Sequence, residues 1–158
     1  MSTPASIAKH PIHPIFVAFP IGLWVFSVIA DLIVYFGGGG PAWKDVAFYT
    51  LGGGIVGAVL AAVPGFIDFL TITDRAARRT AVVHLISNVT ALVLFALSFW
   101  LRWRGTVGFV PIAVSIVALV SVSVGGWFGG ELVFVHNMGV TPPQETRTRT
   151  SSSHRRIA

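Results

Sequence analysis

The sequence predicts an all-α integral membrane protein, an antiparallel four-helix bundle with short connectors and a disordered basic C-terminal tail. Its 158 residues are 54% hydrophobic and only 11% charged, whereas about 25% of residues are charged in a typical soluble domain. Four apolar runs each reach the roughly 20 residues that a helix needs to cross a hydrocarbon core. These predicted spans cover about 14–36, 47–72, 81–101 and 107–133.

The first run is predicted to be a retained helix. Lys9 precedes it, as a positive charge precedes the apolar core of a secretory signal. However, the run exceeds the usual length of a signal core, and no small-x-small cleavage site closes it. The lead-in 1–13 is therefore followed by one membrane domain, 14–140.

The connectors between the spans are short and contain residues that lipid does not tolerate. Glycines 37–40 with Pro41 must end the first helix, because glycine costs backbone entropy and proline lacks a donor. The second connector, 71–80, is charged, and the third, 102–105, is basic. Consecutive helices should therefore be antiparallel neighbours. No internal repeat is evident.

The distribution of basic residues predicts the orientation. Both termini and the second connector share one side, which carries most of the lysine and arginine, and cytoplasmic loops carry that excess. Both termini are thus predicted to be cytoplasmic, in the inner membrane. The polar basic tail 141–158 should be disordered. The first side has Lys9, Arg75, Arg78, Arg79, Arg147, Arg149, Arg155 and Arg156; the other has Lys44, Arg102 and Arg104.

Small residues form stripes on two of the spans. Because helices in lipid associate through such residues, the stripes predict close helix–helix contact. A second interpretation is that the smooth faces make room for a flat macrocycle. The stripes are Gly53, Gly57, Ala61 and Gly65 in the second span and Ser121, Gly125 and Gly129 in the fourth.

All histidines except His154 of the tail fall at the same end of the spans. His10 and His13 precede the first span, His84 opens the third and His136 follows the fourth. In the stretch HPIHP, His13 is predicted to be the N-cap and His10 to lie on an extended lead-in, because proline pushes the preceding residue out of the helical region.

Polar residues near these histidines are candidates for the same site, since polar groups in membranes are costly and often functional. Asn88 shares a helix face with His84, four residues earlier. Asp68 lies on the small-residue face of the second span. Glu131 is turned about half a revolution from the stripe of the fourth span.

Two chemistries suit the histidine cluster, and the spacing alone does not decide between them. A b-type haem would take one or two axial imidazoles, with second-shell acceptors and basic partners for its propionates. A mononuclear iron, copper or zinc site would use imidazole and carboxylate ligands, because the chain has no cysteine. The haem candidates are His13, His84, His136, Asn88, Arg75 and Arg79. The metal candidates are His10, His13, His84, His136, Asp68 and Glu131.

Asp31 lies near the opposite end of the first span. Its predicted depth in the membrane is the same as that of the basic residues Lys44, Arg102 and Arg104. A structural ion pair is the expected role, and a step in a proton path is the alternative.

The chain resembles the bacterial membrane family catalogued as domain of unknown function 2231, over about His10 to Val140. The resemblance rests on several blocks in order: HPIHP followed by FVAFPIGLW, Asp31, PGFIDF, the span with His84, and GGWFGGELVFVHNMGV. It implies the four-helix fold. Some members of that family are joined to a Rieske iron–sulfur domain, which implies a redox role with a separate electron partner for this chain. The recurring family positions are His10, His13, Pro20, Asp31, Asp68, His84, Asn88, Gly125, Gly126, Gly129, Gly130 and His136.

The sequence therefore predicts a lipid-embedded protein that holds haem b or a metal and exchanges electrons with a quinone or a redox protein. The alternative is a non-catalytic accessory or scaffold subunit of a larger membrane complex, and a proton or solute carrier is a third hypothesis. A soluble-style hydrolase is not favoured, because no nucleophile elbow or metalloprotease motif is present. An electron-transfer or accessory membrane protein is expected rather than a stand-alone enzyme. The basic isoelectric point reflects scarce acids and the tail, so nucleic-acid binding is not expected.

Overall fold

Four long helices make up most of the described residues. The computed structural model describes residues 4–8 and 10–140, so the predicted tail and His154 lie outside the described residues. Every helix is long and apolar enough to cross a membrane, and the predicted all-α membrane bundle is confirmed. The helices are α1 (Ile12–Tyr35), α2 (Pro41–Leu70), α3 (Arg75–Trp103) and α4 (Phe109–Phe134), preceded by a small antiparallel hairpin of β1 (Ser6–Ile7) and β2 (His10–Pro11).

Two helices begin earlier than the apolar runs within them. α2 begins at Pro41, because proline at the first position of a helix gives up no hydrogen bond. α3 is capped by Asp74, whose carboxylate accepts a hydrogen bond of 2.8 Å from the Ala77 N–H. Hydropathy identifies the lipid-buried part of a helix, whereas capping chemistry decides where the helix starts.

The bundle consists of two closely packed hairpins. α1 packs along α2, and α3 packs along α4, while the two hairpins meet less closely. Glycines allow the close approach: a Cβ added at Gly54 would lie 2.5 Å from the ring of Trp24, and one at Gly125 would lie 2.6 Å from the amide nitrogen of Asn88. A Cβ added at Gly65 in the α2 stripe would likewise lie 2.6 Å from the His13 ring. Both small-residue stripes are thus covered by side chains of the neighbouring helix, as the helix-contact interpretation predicts.

Side chains of α1 and α3 meet along the centre of the bundle. These two helices are diagonal, because each has its closest backbone approach with α2 or α4. Trp24 stacks on Phe95 with ring centroids 4.1 Å apart. The other central pairs are His13 with His84 at one end and Asp31 with Arg102 at the opposite end. In all three pairs the α3 residue follows its α1 partner by 71 positions.

The side-chain hydrogen bonds reveal an internal repeat. The Ser27 hydroxyl donates to the Ala47 carbonyl, and the Ser98 hydroxyl donates to the Pro111 carbonyl, both at 2.7 Å. The donors are again 71 positions apart, and the acceptors are 64 apart. The two hairpins are therefore related by a pseudo-two-fold axis along the bundle. Sequence inspection missed this repeat, because only some of the equivalent positions, such as His13 with His84 and Ser27 with Ser98, carry the same residue.

Candidate functional site

His13 lies in the first turn of α1, and its side chain packs against α2. The N-cap of α1 is Pro11, so the prediction that His13 caps this helix is wrong. The backbone N–H of Ile12 bonds to the Ala5 carbonyl across the short hairpin, and the helix starts two residues earlier than predicted. The His13 Nδ1 lies 2.8 Å from the Ala61 carbonyl oxygen. The ring covers Gly65, where an added Cβ would lie 2.6 Å from Nδ1.

His84 repeats this arrangement in the second hairpin. Its Nδ1 lies 2.8 Å from the Gly125 carbonyl oxygen on α4, and its ring covers Gly129. Asn88 lies one turn later on α3, as predicted. Its amide nitrogen donates to the His84 carbonyl at 2.7 Å and lies 3.4 Å from both ring nitrogens. Asn88 thus packs directly against the imidazole.

The two carbonyl contacts determine where each imidazole carries its proton. A carbonyl oxygen only accepts hydrogen bonds, so the Nδ1 of His13 and the Nδ1 of His84 must be the donors. In the neutral ring the lone pair then lies on Nε2. Metal-binding histidines are commonly held in this way, with one nitrogen bonded to a backbone carbonyl and the other left as the ligand.

The separation of the two rings suits a shared metal ion. Their centroids are 6.0 Å apart, and their planes cross at 86°. Two imidazoles on one metal, at metal–nitrogen distances of about 2.0–2.1 Å, have centroids roughly 5 Å apart for a tetrahedral angle and about 6.3 Å for a linear one. The observed value falls within this interval. Both rings are half-buried at one end of the bundle.

His10 and His136 lie at the same end but have other partners. The Nδ1 of His10 bonds to the Ala8 carbonyl at 2.9 Å in the exposed hairpin, on the extended lead-in that the sequence predicts. The Nε2 of His136 lies 3.2 Å from the hydroxyl of Thr80. Among residues 4–8 and 10–140, no three histidine or carboxylate side chains come close enough to hold one metal. The expected convergence of four imidazoles is therefore reduced to the pair of His13 and His84.

The remaining candidates are distributed around this pair. The Asp68 carboxylate accepts a hydrogen bond of 3.0 Å from the Ala5 N–H, so it anchors the N-terminal hairpin to α2. Glu131 is half-buried on α4. Arg75 and Arg79 are exposed in the first turns of α3, at the histidine end. These two side chains therefore surround the histidine end of the bundle on its exposed surface.

Sequence reasoning missed the backbone carbonyls that orient the rings. The carbonyls belong to Ala61 and Gly125, both members of the small-residue stripes. Each lies four residues before the glycine that the ring covers, Gly65 or Gly129. One sequence pattern could have indicated how the rings are oriented. It consists of a small residue followed four positions later by a glycine, on a helix next to one that carries a histidine.

The ion pair at the opposite end is confirmed. Arg102 donates to both carboxylate oxygens of Asp31, at 2.5 and 2.7 Å. The Ser98 hydroxyl lies within 3.3 Å of the guanidinium and bonds to Ser115 at 2.8 Å. Asp31 is thus held by a bidentate pair, which is the structural role expected from its position.

The comparisons agree with the architecture. The model of the family described as predicted membrane protein, DUF2231, matches residues 9–142. Comparison with curated proteins and with solved structures finds no match. The match covers all four helices and both ring-orienting carbonyls. This chain is therefore a member of the DUF2231 family of integral membrane proteins.

Proposed function

We propose that His13 and His84 together hold one redox-active metal, as the iron of haem b or as a bare ion, and that the protein transfers electrons at the membrane. The metal takes one electron from a donor and passes one electron to an acceptor. The acceptor is a redox protein or a membrane quinone. His10, His136, Asp68 and Glu131 are not part of this centre.

One observation carries the proposal: two imidazoles on diagonal helices lie next to each other, and each is oriented by a backbone carbonyl. Here both Nδ1 atoms donate at 2.8 Å, so Nε2 is the nitrogen with which each ring could bind a ligand. The Asn88 amide nitrogen, 3.4 Å from the Nε2 of His84, would have to give way to that ligand. The ring separation of 6.0 Å is compatible with one metal between them.

The position of the pair also suits electron exchange. His13 lies in the first turn of α1 and His84 in the third turn of α3, toward the membrane surface at the histidine end rather than at the bundle centre. A partner at that surface can therefore come close to the metal. Arg75 and Arg79 are exposed at the same end and supply a positive rim for an acidic partner.

The test is an absorption spectrum of the purified protein before and after dithionite reduction, combined with metal analysis. We expect one iron or copper per chain and a spectrum that changes on reduction. His13→Ala and His84→Ala should each remove the metal, because one imidazole is a weak site. His10→Ala is the matched control and should retain it, since this side chain lies in the exposed hairpin.

A protein without a Soret band and without stoichiometric iron or copper would contradict the proposal. An accessory subunit is the alternative outcome. In that case the chain would purify with a stoichiometric partner complex, and His84→Ala would leave both the partner and its electron transfer unchanged.

A further inference from the structure

The identity of the metal can be inferred from the number of donors that surround it. This inference rests on the proposed function, because it concerns the same pair of histidines. His13 and His84 each contribute one nitrogen, and the part of the chain that the structure describes brings no third histidine or carboxylate to them. A tetrahedral zinc ion needs four ligands, and its protein sites supply at least three. A monovalent copper ion, in contrast, is satisfied by two nitrogen donors on opposite sides.

The charges around the pair point in the same direction. The nearest acidic candidates, Asp68 and Glu131, do not join the histidines in a metal-binding group, and Asp68 is engaged by the Ala5 N–H. No carboxylate would therefore neutralise a divalent ion at this half-buried, largely apolar site. The desolvation cost of an ion rises steeply with its charge, so a monovalent ion is favoured.

The space beside the rings is too restricted for a macrocycle. The small residues of α2 and α4 at this level are already covered: Gly65 by the ring of His13, Gly129 by the ring of His84, and Gly125 by the amide of Asn88. A porphyrin would have to displace these contacts and the two carbonyl bonds that orient the rings. A bare ion on the Nε2 atoms displaces neither.

From these observations we infer that the metal is cuprous copper, held by the Nε2 atoms of His13 and His84 on the pseudo-two-fold axis of the bundle. The site favours the reduced ion, because cupric copper requires additional ligands. Silver(I), which has the same charge and the same preference for two donors, should bind to the same pair.

The experiment is a titration of the full chain in detergent with Cu⁺, generated by ascorbate under nitrogen, against a chromophoric Cu⁺ chelator. We expect one Cu⁺ per chain and at least a tenfold loss of affinity in both His13→Ala and His84→Ala. His136→Ala is the matched control, because this imidazole lies at the same end but bonds to Thr80. Zn²⁺ at equal concentration should not displace Cu⁺.

X-ray absorption of the Cu⁺-loaded protein measures the number of ligand atoms around the metal. The measurement can be made on the wild type, so it does not depend on whether the histidine variants fold. Two nitrogen neighbours, in the wild type and in His136→Ala, are expected. Four or more neighbours, or tighter binding of Zn²⁺ than of Cu⁺, would overturn the assignment of copper.

The outcomes for the metal and for the function are distinguishable. A Soret band that disappears in both histidine variants would overturn copper and leave the proposed electron transfer standing. Tight Cu⁺ binding without electron exchange with a quinone or redox protein would support copper and contradict the proposed function. Binding of neither haem nor Cu⁺ would contradict both.

Discussion

Each candidate ligand is positioned by a glycine below its ring as much as by its own hydrogen bond. The glycines let the imidazoles lie flat on the adjacent helix, close enough for Nδ1 to reach a carbonyl one turn earlier. The space is tighter in the first hairpin: an added Cβ would lie 2.6 Å from His13 at Gly65 but 3.0 Å from His84 at Gly129. A methyl group therefore affects the two rings to different extents.

We expect Gly65→Ala to destabilise the protein by about 1–3 kcal/mol, the usual cost of overpacking, and to weaken metal binding by moving the His13 ring. Gly129→Ala should show the same effects to a smaller degree. Thermal unfolding in detergent and metal content measure the two effects. Gly126→Ala is the control, because a Cβ there meets nothing within 4 Å. If Gly65→Ala behaves like this control, the ring is not held by that contact.

At the scale of the helices, the two ends of the α1–α3 diagonal have different chemistry. The histidine end has two imidazoles whose Nδ1 atoms donate to backbone carbonyls of the adjacent helices. The opposite end has the pair of Asp31 and Arg102, whose side chains are 8% and 12% exposed. Because the two largely buried charges there neutralise each other, the pair is suited to holding the hairpins together rather than to binding a ligand.

Removing one charge of this pair should destabilise the bundle strongly. Asp31→Leu leaves the Arg102 guanidinium without its counter-ion and should cost about 3–5 kcal/mol, whereas the double change Asp31→Leu with Arg102→Leu should recover much of that loss. Thermal unfolding of the single and double variants provides the measurement. Asp45→Asn, at an exposed carboxylate of α2, is the matched control. Equal losses in the single and double variants would show that the two charges are not coupled.

For the whole molecule, the arrangement of the helices determines which ends lie together but not which side of the membrane they face. The N-terminal hairpin, the α2–α3 connector and the end of α4 lie at the histidine end. The excess of lysine and arginine predicts that this end is cytoplasmic. A cytoplasmic site would exchange electrons with partners on that side only.

The absence of cysteine makes the orientation directly measurable. Thr73→Cys lies at the histidine end and Ala42→Cys at the opposite end, and both positions are exposed. In intact spheroplasts, a membrane-impermeant maleimide should label Ala42→Cys and not Thr73→Cys, with the reverse result in inverted vesicles. The cysteine-free wild type is the control for background labelling. Labelling of Thr73→Cys from outside would reverse the predicted orientation.

The helical architecture followed from the sequence because lipid limits the choices. Four apolar runs separated by short glycine-rich or charged connectors can only satisfy their backbones as helices, and such helices must alternate in direction. The same reasoning brought the four non-tail histidines of the chain to one end and matched Asp31 with basic residues at the other. It did not separate His13 and His84 from His10 and His136, because all four have the right depth.

By itself, then, the sequence determined the class, the spans and the end at which the histidines lie, since these depend on hydropathy and on helix direction. Only the tertiary structure decided which histidines meet, since that depends on helix rotation and on contacts between residues distant along the chain, such as His13 with Ala61. It also revealed the pseudo-two-fold repeat, whose equivalent positions carry the same residue at His13 and His84 but different residues in the pairs Trp24 with Phe95 and Asp31 with Arg102. Packing constrains shape and hydrogen bonding across the bundle, and different side chains can satisfy the same constraint.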